Sequence, residues 1–163
     1  LSKLREICAE LDEKPITIAP GAVVCKEASL HGTITIGSGT IVHPTAVIRA
    51  TNGPIVIGEN NNVEETAVIE NLCANGETLY IGRDNVFEIE SVMQASRVGD
   101  NNIFGVRSRV GPNTIVTNGC FIGTKCSAVM TETLPENMVI YGETNIRRIA
   151  SDPPQVLFSY LRI

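Results

Sequence analysis

The chain has 163 residues, of which 43% are hydrophobic and only 4% aromatic, so we expect one domain whose core is built from aliphatic side chains. Its formal net charge of −5 and the lack of a long basic run argue against a nucleic-acid partner, because phosphate binding requires clustered lysine and arginine. Five cysteines without a CxxC pair argue against a disulfide framework, and no apolar run approaches the roughly 18 residues that span a bilayer, so the cytosol is the expected compartment.

The first predicted element is a short helix over residues 1–14. Apolar residues recur there at helical spacing. They are Leu1, Leu4, Ile7 or Cys8, and Leu11. The sequence that follows has a different period, which indicates that this helix flanks the main domain.

From residue 15 to residue 142 an aliphatic residue, here called the marker, recurs every six positions. A period of six matches neither a helix nor a plain strand, so each hexad is predicted to be one short strand and one turn with the marker pointing inward. The markers are Ile18, Val24, Leu30, Ile36, Val42, Ile48, Ile57, Val63, Ile69, Ile81, Phe87, Met93, Val98, Phe104, Val110, Val116, Ile122 and Ala128. Three strands per coil predict an all-β fold, a parallel β-helix of six to seven triangular coils.

The residue two positions before each marker is also predicted to point inward, because side chains alternate along a strand. It is mostly small, as a tight corner requires, and at three coils it is Asn61, Asn85 or Asn102. Glycine follows many markers, as at Gly82 in "IGRDNV". We interpret this glycine as a turn residue, since Gly, Asn and Asp tolerate positive φ or cap turns.

The six-residue spacing is broken at three places. The marker pairs are Ile48 and Ile57, nine apart, Ile69 and Ile81, twelve apart, and Met93 and Val98, five apart. The twelve-residue gap predicts a projecting loop over 70–80, with Leu72, Leu79 and Tyr80 as candidate contact residues. A solvated loop without a partner is the alternative.

An outward column on one face of the predicted prism is apolar at five of its six positions. It consists of the residues just before successive markers, namely Val23, Ile41, Asn62, Val86, Ile103 and Phe121. An aliphatic ladder of this kind is expected to be covered. The candidates for the cover are a C-terminal helix, a partner protein and a second copy of the chain.

The last predicted element is a helix within a C-terminal segment over residues 143–163. Asp152 followed by Pro153 is typical of an N-cap and a first-turn proline. The apolar residues after it are Val156, Leu157, Tyr160 and Leu161. An end helix of this kind suits an open β-helix, whose terminal coils expose unpaired backbone groups.

Hexads of this kind resemble those of left-handed β-helix enzymes, which include acyltransferases and γ-class carbonic anhydrases. The acyltransferase resemblance implies a histidine base, and only His31 and His43 are present, at different corners of the predicted prism. The carbonic anhydrase resemblance implies three zinc histidines, whose positions are occupied here by Glu70, Ile89 and Gln94. Since zinc activation of water needs three good ligands, no metal, no cofactor and no catalytic residue are expected.

The phrases "ITIAPGAVVC", "GPIVIGENNNVEETAVI" and "LPENMVIYG" resemble the β-helix subunits of the dynactin pointed-end complex along nearly the whole chain. The resemblance implies a left-handed β-helix with no catalysis and no small-molecule substrate, which pairs with a second β-helix subunit and other pointed-end subunits. It also implies a role in dynein–dynactin cargo engagement, in the cytoplasm at the cytoskeleton, including the centrosome or kinetochore. The alternatives are a homotrimeric acyltransferase or carbonic-anhydrase-like enzyme, and a homo-oligomeric β-helix with an unrelated assembly role.

Overall fold

The computed structural model describes residues 16–152. The helix predicted over 1–14 and the helix predicted after Asp152 lie outside the described residues. Within 16–152 the chain forms 21 short strands and one 3-10 turn, Ala74–Gly76. Almost all of the regular structure is therefore β, as the period of six predicts.

Successive strands belong to three different sheets, which form the three sides of a triangular prism. Sheet A consists of β1 (Ile16–Ile18), β4 (Ile34–Ile36), β7 (Ile55–Ile57), β10 (Leu79–Ile81), β13 (Arg97–Val98), β16 (Thr114–Val116) and β19 (Glu132–Leu134). Sheet B consists of β2 (Val23–Val24), β5 (Ile41–Val42), β8 (Asn62–Val63), β11 (Val86–Phe87), β14 (Ile103–Phe104), β17 (Phe121–Ile122), β20 (Met138–Tyr141) and β21 (Ile146–Ile149). Sheet C consists of β3 (Ser29–His31), β6 (Val47–Arg49), β9 (Val68–Glu70), β12 (Val92–Met93), β15 (Arg109–Val110) and β18 (Ser127–Ala128).

The strand register follows the spacing of the markers. On sheet A, Ile18 pairs with Ile36, which is 18 residues later, as three hexads require. The next pairings, Ile36 with Ile57 and Ile57 with Ile81, span 21 and 24 residues, and Ile81 with Val98 spans 17. The nine-, twelve- and five-residue gaps therefore lengthen or shorten single coils and leave the ladder in register.

The core is a continuous stack of the marker side chains of the three sheets and of inward residues two positions before them. From the second coil onwards every predicted marker is buried, and Phe87 stacks on Phe104 with ring centroids 4.8 Å apart. In the first coil Ile18 is 46% exposed, because no other described strand pairs with the free edge of β1. Each marker packs against the markers of the coils above and below it, and this packing gives the stack of coils a continuous apolar interior.

One corner of the prism contains a hydrogen-bonded ladder of buried asparagines, Asn61, Asn85 and Asn102. Oδ1 of Asn61 accepts the backbone N–H and the side-chain amide of Asn85, both at 3.0 Å. Asn85 accepts the same two bonds from Asn102, also at 3.0 Å. The sequence predicts that these residues point inward; their mutual hydrogen bonds satisfy amides that would otherwise be buried without partners.

Gly82 is required for its backbone, as the sequence predicts, but it does not have a positive φ. The left-handed residue of that turn is Asp84, with φ 59°. Gly82 is required because a Cβ at this position would lie 2.6 Å from the carbonyl oxygen of Gly99 in the next coil. Close approach of two backbones, which only glycine permits, is therefore the physical reason for this residue.

The C-terminal end of the described chain contains a strand that the hexads do not predict. β21 pairs antiparallel with β20, the last parallel strand of sheet B. Its residue Arg147 donates two hydrogen bonds of 2.6 Å to the carboxylate of Glu132, on β19 of sheet A. The final coil is thus closed by a reversed strand and a bidentate ion pair.

Candidate functional site

The three residues at the predicted metal-ligand positions do not meet in one subunit. Glu70 and Gln94 lie in adjacent coils at the corner after sheet C, where the Gln94 amide donates to Oε1 of Glu70 at 2.9 Å. Ile89 follows β11 at the corner between sheets B and C, and its side chain is exposed. The structure therefore brings together two of the three predicted positions and separates the third.

The carboxylate of Glu70 is already engaged by neighbouring side chains. Its Oε2 accepts hydrogen bonds from Arg49 Nε at 3.1 Å and from the Thr51 hydroxyl at 2.9 Å. Burial alone would raise the pKa of Glu70, but the hydrogen bonds from Thr51 and Gln94 and the charge of Arg49 outweigh it and lower the pKa. Glu70 is a charged member of a polar network at this corner.

The described residues contain no group of three His, Cys, Asp or Glu side chains that could hold a metal ion. At the expected site a carboxylate, an amide and an aliphatic side chain stand where the resemblance to carbonic anhydrases implies three imidazoles. An aliphatic side chain offers no lone pair to a metal.

The two histidines lie at different corners, as the sequence predicts. His31 ends β3 and is exposed, whereas His43 follows β5. Nε2 of His43 is 2.7 Å from the side-chain oxygen of Asn62, and Nδ1 is 3.9 Å from Oε1 of Glu65. The contact with Asn62 explains why this polar member of the sheet B column is only 5% exposed.

The predicted apolar column forms a continuous ladder, here called the sheet B ladder. The pairings run from Val23 through Ile41, Asn62, Val86, Ile103 and Phe121 to Val139. Val23 is the most exposed member, at 52%, and the other aliphatic and aromatic members are half-buried. A shorter apolar ladder that the sequence reading missed lies on sheet C, where Val47, Val68 and Val92 are stacked in register.

The loop predicted over 70–80 is held against the prism, and the prediction of Leu79 as a contact residue is wrong. Leu79 is fully buried, because it is the inward residue two positions before the marker Ile81. Tyr80, between them, points outward and is 55% exposed, and Leu72 is half-buried. Asn71 ties the loop down by donating its side-chain amide to the carbonyl oxygens of Pro54 and Glu77, at 2.9 and 2.8 Å.

The fold defines a class of protein, the left-handed β-helix proteins built from hexapeptide repeats. A hexapeptide transferase family protein from Anaplasma phagocytophilum superposes with a TM-score of 0.74 at 17% identity, covering 84% of this chain and 80% of that one. At such low identity the likeness shows the fold alone. No protein-family profile matches the sequence.

Two curated relatives specify the family. A dynactin subunit 6 from Xenopus tropicalis is 46% identical over 149 residues, covering 86% of this chain and 74% of that protein. A dynactin subunit 6 from Nematostella vectensis is 43% identical over 150 residues, covering 86% of this chain and 82% of that protein. The chain belongs to the dynactin subunit 6 family.

An enzyme is also among the relatives, at a greater distance. A carbonic anhydrase from Methanosarcina thermophila is 33% identical over 110 residues, covering 65% of this chain and 43% of that protein. Because less than half of that enzyme is covered, its activity does not transfer to this chain.

Proposed function

We propose that this chain is a non-enzymatic scaffold subunit of the dynactin pointed-end complex. In this role it pairs with a second β-helix subunit, contacts other pointed-end subunits, and supports the engagement of cargo by dynein and dynactin. It acts in the cytoplasm on the cytoskeleton, including the centrosome or kinetochore. Family membership supports the assignment to dynactin, and the corner at Glu70 supports the absence of catalysis.

The proposal that the chain is not an enzyme depends mainly on one observation, the hydrogen bonds that the Glu70 carboxylate already accepts. Arg49, Thr51 and Gln94 all donate to it, so a metal ion would compete with three hydrogen bonds for the lone pairs of one carboxylate. Gln94 is a weak ligand, and Ile89 cannot coordinate at all. This set of side chains therefore does not suit a zinc ion that would activate a water molecule. Protein binding is the function that we propose for the surface instead.

The sheet B ladder is the proposed docking face for a protein partner. Its exposed and half-buried apolar members are Val23, Ile41, Val86, Ile103 and Phe121, with Asn62 between Ile41 and Val86. These apolar side chains lose contact with water when a partner covers them. No helix of the described residues is long and apolar enough to cross a membrane. The C-terminal residues beyond 152 are the competing cover, and deleting them separates the two cases.

Affinity purification of the tagged chain from cell extract tests the function. Copurification of dynactin and dynein subunits is expected, and a double substitution Ile103→Asp with Phe121→Asp should reduce it if the sheet B ladder is the contact. Ser127→Asp, at a half-buried outward position of sheet C, is the matched control and should leave copurification unchanged. Thermal melting of the double variant checks that a loss of copurification does not come from unfolding.

The rival function is a homotrimeric enzyme, an acyltransferase or a relative of carbonic anhydrase. It is favoured only by the fold likeness to transferases and by the distant carbonic anhydrase relative. Mass measurement in solution and metal analysis of the purified chain discriminate the two. A symmetric trimer that contains stoichiometric zinc, or that transfers acyl groups, would overturn the scaffold proposal.

A further inference from the structure

The two consecutive irregularities of the hexad period meet on the same face of the prism. The twelve-residue gap before Ile81 adds the segment that leads into β10, and the five-residue gap before Val98 shortens the segment that leads into β13. β10 and β13 are neighbours in sheet A. Residues of the insertion and of the strands that follow it line a groove at this place.

This groove, here called the sheet A groove, has a volume of about 460 Å³. Its lining combines the inserted loop with the outer faces of three strands. The lining residues are Glu77, Thr78, Tyr80, Ser96, Arg97 and Ile115. Tyr80 and Ile115 are 55% and 36% exposed, so the groove has an aromatic side chain on one side and an aliphatic side chain on the other.

Arg97 lies between these two apolar side chains. Ile81 pairs with Val98 and Arg97 pairs with Ile115, which places Tyr80, Arg97 and Ile115 at successive outward positions of sheet A. Arg97 is exposed and makes no ion pair with any residue of 16–152. The other outward residues of the sheet are uncharged, and Glu77, the acidic residue of the groove lining, makes no ion pair with Arg97.

The backbone of the groove offers no free hydrogen-bonding edge. β10 and β13 are paired on both sides within sheet A, so an incoming chain cannot be added as a further strand. Contacts must therefore be made by side chains. Tyrosine, arginine and isolated apolar side chains around a depression are the composition typical of interface hot spots.

We propose that the sheet A groove binds a partner-protein segment that presents a single carboxylate next to an apolar side chain. The carboxylate pairs with Arg97, and the apolar side chain fits between Tyr80 and Ile115. Glu77 at the rim of the groove repels further negative charge, so a polyacidic tract fits worse than a lone Asp or Glu. The inference rests on the proposed scaffold role and gives it a second contact surface, separate from the sheet B ladder.

The test uses the full chain on an array of overlapping short peptides from the other dynactin subunits and from this chain. The expected result is a set of peptides from another subunit that share an acidic residue beside an apolar one. Binding should weaken about tenfold in Arg97→Glu, which replaces attraction by repulsion, and should be regained when the peptide's acid is changed to lysine. Arg109→Glu, at an exposed outward position of sheet C, is the matched control and should bind as the unsubstituted chain does.

Three outcomes would overturn the inference: binding that is indifferent to Arg97→Glu, bound peptides without a carboxylate, and selective binding of peptides from this chain. Circular dichroism of Arg97→Glu should be unchanged, since the residue is exposed, so lost binding cannot be attributed to unfolding. Copurification with dynactin distinguishes the two proposals. A chain that copurifies but binds no Arg97-dependent peptide refutes the groove alone, whereas a chain that does not copurify refutes the scaffold role.

Discussion

Asn102 donates its side-chain amide to the side-chain oxygen of Asn85 at 3.0 Å, and its backbone N–H is bonded to the same oxygen. The second amide hydrogen of Asn102 goes to the carbonyl oxygen of Thr117 at 2.9 Å. A single buried residue therefore joins three stretches of chain without leaving a polar atom unpaired. This arrangement repeats from coil to coil, so each asparagine depends on the one before it.

Asn85→Ala should be among the most destabilising substitutions at this corner. It leaves the backbone N–H and one amide hydrogen of Asn102 and the carbonyl oxygen of Gly99 without partners. The expected loss in the free energy of unfolding is about 2–4 kcal/mol. Urea unfolding followed by circular dichroism measures it. Asn113→Ala, at an exposed position, is the control and should change stability little; equal losses would contradict the ladder's role.

Ser108→Ala should stabilise the chain. The hydroxyls of Ser91 and Ser108 are buried without a hydrogen-bond partner among the described residues, in a column that has Ala46 and Ala67 in earlier coils. Removing an unsatisfied hydroxyl should raise the free energy of unfolding by about 1 kcal/mol. The reverse substitution Ala67→Ser should lower it, and a loss of stability in Ser108→Ala would show that the hydroxyl has a favourable contact.

Thr66→Asn should also stabilise the chain, for a backbone reason. Thr66 has φ 59°, in the left-handed region that β-branched residues avoid, whereas the equivalent position at another corner is Asn60, with φ 55°. Relief of this strain is expected to contribute about 1 kcal/mol. Thr35→Asn, on an extended strand, gives no such relief. Calorimetric melting of both variants tests whether the gain is confined to the turn.

The ion pair between Arg147 and Glu132 predicts a pH dependence. Hydrogen bonding to Arg147 lowers the pKa of Glu132 below its ordinary value of 4.5, despite partial burial. A carboxyl whose pKa is lower in the folded state contributes stability above about pH 4.5 that is lost as the pH falls through the folded pKa. Glu132→Gln should therefore destabilise the chain at pH 7 and have a smaller effect at pH 3. The difference should vanish in an Arg147→Gln background; if it persists, another group is responsible.

The period of six was enough to predict the core. Because each marker must point into a narrow prism, Ile57 or Val110 has one permissible direction, and the register follows by counting. The same alternation rule places Leu79 inward, two positions before Ile81, and assigning Leu79 to the projecting loop disregarded that rule. The physical reason for Gly82 could not be predicted from one hexad, because the backbone that it approaches lies in the next coil, 17 residues later in the sequence.

The candidate surfaces were less predictable than the core. The sheet B ladder could be read as a column because its residues recur at a fixed offset from the markers. The sheet A groove could not be predicted in this way, because its lining comes from the inserted loop and from three strands that become neighbours only after folding. Strand β21 was also missed, since Ile146 and Ile149 lie outside the hexads and are held by pairing with β20.

The reversed strand at the end of sheet B has a consequence for self-association. Stacked coils of a parallel β-helix could in principle continue from one molecule into the next, because each coil is a template for another of the same polarity. At this end of sheet B, β21 runs antiparallel to the other strands of the sheet. A second molecule that stacked on this end with its coils in the same direction would place its sheet B strand antiparallel to β21. This mismatch disfavours open-ended fibre growth.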